Sequence, residues 1–127
     1  YHGRMSDRWL KDLKPFGTDH IKPFLEIAPW LIVVMKRSYE IVNGEKKNNY
    51  YSSESVGIAT GFLLAAVHNA GLVALTHTPS PMNFLAKVLN RPENEKPFLL
   101  IPVGYATDDA EVPKLERKSL ERVAIFY

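Results

Sequence analysis

The sequence predicts a layered fold of helices packed on a sheet, of the α/β or α+β class, because strand patterns are separated by helix patterns. The clearest strand is residues 30–35, and the clearest helix is residues 52–70, whose second half is mostly Ala and Leu. Two further short strands are predicted at residues 72–76 and 98–103. A chain of 127 residues is long enough for one core and short for two.

The predicted strands and the loop between them carry further information. Residues 30–35 are continuously apolar and β-branched, which is typical of a strand buried on both faces. Residues 98–103 include Pro102, which lacks an N–H group and therefore favours an edge or a bulge. A polar loop is predicted after the first strand, with Asn43 and Gly44 as its turn.

The long helix has recognisable ends and an unusual face. Ser52 or Ser53 can cap its start, and Gly71 closes it. Gly57 and Gly61 lie four residues apart, and each interior glycine costs about 1 kcal/mol relative to alanine. The pair therefore predicts close approach of another backbone, either in a tightly packed core or at a subunit interface.

The remaining segments are predicted from helix signals and polarity. Residues 4–14 carry apolar side chains at helical spacing, and Pro15 and Gly17 end that helix. Thr18 or Asp19 can cap a second short helix. The later segments are an amphipathic helix, a polar tail and a last strand: residues 81–89, 106–118 and 123–127.

Composition and charge exclude several classes of function. Sixteen basic and fourteen acidic residues leave a net charge of +2 with the basic residues scattered, so no nucleic-acid partner is expected. The absence of cysteine excludes disulfides and thiolate chemistry and fits a reducing compartment. Residues 56–67, the longest apolar stretch, are shorter than the about 20 residues of a membrane-spanning helix. We expect a soluble, cytoplasmic protein with no membrane segment in this part, and a trimmed or processed start at Tyr1.

General catalytic motifs are absent from the sequence. The four histidines, at positions 2, 20, 68 and 77, lack the spacing of zinc-binding helices, so no metal site is predicted. No nucleophile elbow, phosphate-binding glycine loop or G-x-G-x-x-G motif occurs, which argues against common hydrolases, kinases and Rossmann enzymes. Residues 69–81 are more informative, because they bring hydroxyls and backbone N–H groups onto a strand's exit loop, where ligands bind in such folds. Local side-chain-to-backbone bonding is the alternative for its threonines.

Six stretches of the sequence resemble, in the same order, motifs of the nitroreductase family, and the likeness is greatest to its iodotyrosine deiodinase branch. Together they cover almost the whole chain. They are RMxxxWxxDL (4–13), GIATGFLLAAVHNAGLV (57–73), THTP (76–79), NRPxxEK (90–96), PVGY (102–105) and VPxxxRKxL (112–120).

The resemblance implies an α+β, FMN-dependent fold in which FMN binds without a covalent link at the interface of an obligate homodimer. Thr76, His77 and Thr78 match the loop that lines the flavin ring. Thr78 matches a hydroxyl residue that hydrogen-bonds flavin N5 and favours one-electron steps, which gives it a catalytic role; His77 stands where the branch often has threonine. Arg117 matches an arginine that holds the FMN phosphate, a task that suits the forked donors of a guanidinium.

The resemblance also implies a substrate lid and a domain organisation. Tyr1 and Lys22 match lid residues that bind the amino-acid group of the substrate, with Lys22 pairing with its carboxylate. Residues 1–127 would form the C-terminal part of one nitroreductase-like domain, with a lid-like helical segment at 1–28 and an extending tail at 106–127. Other residues of the FMN and substrate sites would lie upstream of Tyr1.

The function implied is reductive dehalogenation of a halogenated tyrosine, with NAD(P)H or a flavin-reducing partner as the source of electrons. One alternative is a general NAD(P)H-dependent nitroreductase or flavin reductase acting on nitroaromatics. A second alternative is a flavin-binding module without turnover.

Overall fold

The computed structural model describes Gly3 and residues 5–127, which form two compact units. The smaller unit joins the residues up to Ile21 with Thr107–Tyr127, and the larger unit is the continuous segment Lys22–Ala106. In chain order the elements are α1 (Asp7–Leu13), a 3-10 helix (Lys14–Phe16), α2 (Phe24–Ile27), β1 (Trp30–Arg37), β2 (Tyr39–Val42), β3 (Glu45–Asn48), α3 (Ser52–Asn69), β4 (Val73–Ala74), α4 (Phe84–Val88), β5 (Glu95–Gly104) and a second 3-10 helix (Leu120–Arg122).

The larger unit is built on a three-stranded antiparallel sheet in the order β1-β5-β4. Its pairing of β1 with β5 extends from Trp30 opposite Val103 to Arg37 opposite Glu95. Helices and antiparallel strands are thus mixed as the predicted α+β class requires, and the parallel sheet of the α/β alternative is not found among the described residues.

One face of this sheet is covered by α3, and the core lies between them. Val67 of α3 and two β5 residues, Ile101 and Val103, are buried, and Ile101 has no exposed surface. Further apolar side chains pack around these three and are partly buried: Ile32, Val34, Leu63, Leu64, Leu72 and Leu99. Removal of this apolar surface from water holds the helix on the sheet.

The central position of β5 corrects the prediction that Pro102 marks an edge. Its carbonyl accepts a hydrogen bond from the Leu75 N–H at 3.2 Å, but proline has no N–H to return the bond. A single ladder bond is lost there, and β4 ends at Ala74, before the predicted end of that strand at residue 76.

The first strand is present, but its predicted burial on both faces is wrong. β1 is an edge strand that pairs only with β5 in this sheet. Trp30 is 73% exposed and Leu31 is exposed as well, whereas residues 32–36 are partly buried.

The start of α3 also differs from the prediction. Neither Ser52 nor Ser53 caps the helix, because its N-cap is Tyr51 in a left-handed conformation (φ 57°) with no side-chain hydrogen bond. The hydroxyl of Ser53 instead accepts from the ammonium of Lys36 on β1 at 3.0 Å. The end of the helix is as predicted, with Gly71 at φ 75°.

Two strands of the larger unit were not predicted. β2 and β3 form a separate antiparallel hairpin in the segment predicted as a polar loop. Asn43 and Gly44 make its turn, as predicted, with φ of 54° and 81°. The hairpin is mostly exposed, so its sequence lacks the apolar alternation by which a strand is recognised.

The smaller unit contains one regular α-helix among the residues described. Ser6 caps α1 by accepting the Trp9 N–H, and Gly17 ends the following 3-10 helix at φ 57°. The predicted cap at Thr18 or Asp19 is wrong, because α2 begins only at Phe24 with Pro23 as its N-cap. The Asp19 carboxylate instead accepts the Ile21 N–H at 2.8 Å in a local turn. The predicted last strand does not form, since residues 124–127 are irregular and largely exposed.

Candidate functional site

The exit loop of β4 continues the sheet beyond the end of the strand. His77 forms an antiparallel bridge with Leu100, and each residue's N–H donates to the other's carbonyl at 2.9 Å. Val73 lies opposite Gly104 and Ala74 opposite Val103, so the bridge preserves the register of β4. The loop is therefore a positioned extension of the sheet.

This pairing leaves the groups on either side of His77 available. In an extended chain, neighbouring peptide groups point to opposite edges, so those of Thr76 and Thr78 face away from β5. Both threonines are exposed, and within the described part of the chain neither their peptide groups nor their hydroxyls make a hydrogen bond. Two N–H groups and two hydroxyls are thus free to donate to the acceptor atoms of a ligand.

His77 itself is turned towards α2 on the other face of the sheet. Directly opposite residues of an antiparallel pair share a face, so His77 lies with Leu100 and not with the α3-covered Ile101. Its ring meets the ring of Phe24 edge-to-face, with centroids 5.7 Å apart and planes at 87°.

The electrostatics connect His77 to a second predicted site residue. Desolvation by partial burial lowers the pKa of His77, and the positive charge of Lys22 lowers that pKa further. Lys22 is partly buried and close enough for its charge to act on the imidazole. The structure therefore places the charge of Lys22 within electrostatic reach of His77, and this favours the neutral imidazole.

The other predicted site residues are Arg117 and Tyr1. Arg117 belongs to the smaller unit, in an irregular and exposed segment, and makes no ion pair with the residues described. Tyr1 lies outside the described residues. The predicted roles of Thr76, His77, Thr78, Arg117, Lys22 and Tyr1 remain predictions.

Two residues that position this site were not found from the sequence. Phe24 was not singled out, because nothing in its local pattern indicates contact with His77, 53 positions further along the chain. Gly104 ends β5 beside Pro29, and a Cβ placed on it would lie 2.9 Å from Pro29 Cδ. The only available signal was the glycine within the PVGY motif.

The described residues form open concavities that the exit loop of β4 does not line. Two concavities of about 550 and 580 Å³ are present, and neither includes Thr76, His77 or Thr78. That part of the chain groups no three His, Asp or Glu side chains as a metal site. None of its helices has the length and apolarity needed to cross a membrane.

Comparison with known proteins gives a consistent result. The profile of the nitroreductase family matches residues 4–105. The chain is 65% identical over its whole length to the iodotyrosine deiodinase of Haliscomenobacter hydrossis, of which it spans 58%. It is 49% identical over 99% of its length to the iodotyrosine deiodinase of Nematostella vectensis, of which it spans 48%. The chain thus spans about half the length of the curated relatives it matches.

Solved structures show the same likeness. A crystal structure of oxidised iodotyrosine deiodinase bound to FMN and 3-iodo-L-tyrosine aligns with 97% of this chain at a TM-score of 0.76 and 29% identity, over 61% of its own length. An oxidoreductase containing FMN aligns with 94% of the chain at a TM-score of 0.72 and 24% identity, which supports the fold alone. The predicted nitroreductase-like α+β fold is confirmed.

Proposed function

We propose that this chain, which belongs to the nitroreductase family, is part of an FMN-dependent oxidoreductase that removes the halogen from a halogenated tyrosine. The observation that carries the proposal is the 65% identity, along the whole chain, to a protein named iodotyrosine deiodinase. Likeness to the solved deiodinase with FMN and 3-iodo-L-tyrosine supports it.

The exit loop of β4 fits the ring of FMN. Its free N–H groups and hydroxyls at Thr76 and Thr78 suit the carbonyl and nitrogen acceptors of a flat heterocycle. We assign Thr78 to the hydrogen bond at flavin N5. Bound FMN would supply the electrons, and the protein would supply orientation and hydrogen bonding.

Arg117 is assigned to the FMN phosphate. Its exposed guanidinium has donors that are unused within the described residues and that match phosphate oxygens. Replacing Arg117 with alanine should weaken FMN binding by about 1.5–3 kcal/mol, the usual loss for a hydrogen bond to a charged group. Titration of the full-length apoprotein with FMN measures this, with Arg122→Ala as the control; equal affinities would assign the phosphate to other residues.

Lys22 is assigned to the carboxylate of the substrate, with Tyr1 as a second contact to the amino-acid group. Reductive dehalogenation replaces the carbon–halogen bond with a carbon–hydrogen bond, so two electrons and one proton enter and a halide ion leaves. NAD(P)H or a flavin-reducing protein is the proposed source of the electrons, and the cytoplasm, which suits a chain without cysteine, is the proposed location.

The proposed assembly is a homodimer, with α3 at its interface. Ile58 and Phe62 of α3 are large apolar side chains, yet they are 65% and 74% exposed. A Cβ placed on Gly57 or Gly61 would meet none of the described residues within 4 Å, so packing among those residues does not explain the two glycines. Residues 123–127 add a second exposed apolar segment, which we assign to contact with the partner subunit.

Sedimentation of the full-length protein tests the dimer. Replacing Gly61 with leucine should shift the equilibrium to monomer, because a bulky side chain on the contact face prevents close approach. Leucine at Lys47, exposed on the hairpin, is the control. A stable monomer of the unaltered protein would contradict the assembly.

Substrate preference tests the function. With FMN bound, 3-iodotyrosine should bind the full-length protein far more tightly than 2-iodophenol, which has the ring and halogen without the amino-acid group. Lys22→Ala should remove most of the difference while leaving reduction of a simple nitroaromatic nearly intact, because electron transfer needs ring stacking rather than the carboxylate contact.

The matched control is Lys87→Ala, which removes an exposed lysine from α4 of the same unit. Equal binding of the two ligands by the unaltered protein would indicate a general nitroreductase. Tight FMN binding without any turnover would indicate a flavin-binding module.

A further inference from the structure

We propose that His77 is a positioning residue: through its ring contact with Phe24 it fixes the first turn of α2, and thereby holds Lys22 in place for the carboxylate of an amino-acid substrate. The inference rests on the proposed function for the role of Lys22. The part of the inference that concerns the stability of α2 depends only on contacts within the larger unit.

The first step is that His77 is itself held firmly. Its N–H and carbonyl both pair with Leu100 on the central strand, at 2.9 Å each. Leu100 is 5% exposed, so the bridge lies against buried structure and is protected from competition with water. The backbone that carries the imidazole is therefore fixed to the sheet.

The second step is that α2 is too short to be stable without tertiary contacts. It has four residues, Pro23 as an N-cap without a side-chain hydrogen bond, and no buried residue. Isolated helices of this length are unstable in water, so tertiary contacts must fix it. The Phe24–His77 contact acts at its first residue, and the close approach of Pro29 to Gly104 acts just beyond its last.

The third step connects Lys22 to the Phe24–His77 contact. Only Pro23 separates Lys22 from Phe24, and the proline ring restricts the backbone between them. A change in the position of Phe24 therefore moves the backbone of Lys22. Partial burial and the charge of Lys22 both lower the pKa of His77, which favours the neutral ring in its contact with Phe24.

The test is a double-mutant cycle in the full-length protein saturated with FMN. His77→Thr and Phe24→Ala should each reduce the preference for 3-iodotyrosine over 2-iodophenol by about tenfold, and the double variant should reduce it no further, because both remove one contact. His77→Phe should keep the preference, since it retains an aromatic ring against Phe24. Additive losses, or a loss in His77→Phe equal to that in His77→Thr, would overturn the inference.

Amide hydrogen exchange separates this inference from the proposed function. The Ala28 N–H donates to the Phe24 carbonyl at 3.0 Å and reports whether α2 is formed. It should exchange faster in His77→Thr than in the unaltered protein or in His77→Phe, whatever the ligand preference proves to be. Tyr39→Ala, which removes an aromatic side chain from the β2–β3 hairpin, should leave that exchange unchanged. An unchanged Ala28 rate in His77→Thr would overturn the fixing of α2 even if the deiodinase function holds.

Discussion

The two ends of β5 show opposite uses of polar groups. At the first end, the Glu95 carboxylate is nearly buried, with 9% of its side chain exposed, and accepts from Arg91 Nε at 2.7 Å and from an Arg37 terminal nitrogen at 3.1 Å. Neighbouring groups are also paired, since the Asn94 amide donates to the Tyr39 carbonyl at 2.7 Å. These polar groups are therefore hydrogen-bonded within the chain.

The later half of the strand, from Leu100 to Gly104, borders the exit loop of β4. There the pairing of His77 with Leu100 leaves donors of Thr76 and Thr78 without a partner among the described residues. Both threonines are exposed, so water satisfies these donors and a ligand can displace it. The comparison separates an end that serves stability from an end to which we assign ligand binding.

Removing the carboxylate of Glu95 should give the largest loss of stability. Glu95→Ala breaks both ion pairs and disconnects β1, β5 and the Arg91 loop that the carboxylate joins. Urea unfolding should show a lower midpoint, while FMN affinity of the folded protein stays unchanged. Glu40→Ala is the control, because that exposed carboxylate lies 3.6 Å from Arg37 and should change the free energy of unfolding by less than about 1 kcal/mol. Equal effects of the two variants would contradict the role assigned to this end.

A smaller loss is expected at the other end, from Gly104→Ala. The added Cβ would lie 2.9 Å from Pro29 Cδ and 3.4 Å from Cγ, so the backbone before β1 must shift. Overpacking of this kind costs about 1–3 kcal/mol in the free energy of unfolding. Pro29→Ala in the same chain removes the opposing ring and should restore part of the loss; a double variant as unstable as Gly104→Ala would assign the cost to the backbone of β5 instead.

The contrast between the two ends was only partly accessible from the sequence. The last residue of α3 and the Asn43–Gly44 turn were predicted well, because helix periodicity and left-handed turn residues are local signals. The ion pairs of Glu95 were not predicted, although the residue stands in a motif used for the resemblance. A shared motif identifies the residue, but its ion-pair partners become known only when the positions of the strands are known.

The exit loop of β4 was also only partly predictable from the sequence. The sequence predicted hydroxyls and N–H groups on this loop, and in the structure those of Thr76 and Thr78 stay unpaired because only Leu75 and His77 of the described loop bond to β5. The contact of His77 with Phe24 joins residues far apart in sequence, so no local pattern could indicate it. Pro102 was expected at an edge or a bulge, because sequence reasoning could not know that β5 would have a strand on each side.

Acid should reduce the difference in stability between the unaltered protein and the uncharged variant Glu95→Gln. Hydrogen bonds from Arg91 and then Arg37 lower the pKa of Glu95 below its ordinary value of 4.5. A lowered carboxyl pKa stabilises the fold fully above the unfolded-state value, and this stabilisation is lost as the pH falls through the folded-state value. The midpoint difference between the unaltered protein and Glu95→Gln should therefore be constant near neutral pH and shrink below about pH 4.5. A difference that is independent of pH would show that the charge of Glu95 does not contribute.

The smallest effect on stability is expected from Thr78→Ala, which should instead change the reaction. Thr78 is exposed and makes no hydrogen bond within the described residues, so its loss should change the free energy of unfolding by less than about 0.5 kcal/mol. Deiodination should slow by about tenfold if the hydroxyl hydrogen-bonds flavin N5, since a single hydrogen bond contributes roughly 1 kcal/mol or somewhat more. Two-electron reduction of a nitroaromatic should suffer less, because that step depends less on the N5 hydrogen bond. Ser80→Ala, an exposed hydroxyl on the same loop, is the control and should leave both rates unchanged. Equal slowing of both reactions by Thr78→Ala would mean that the hydroxyl helps to place the ring and does not favour one-electron transfer.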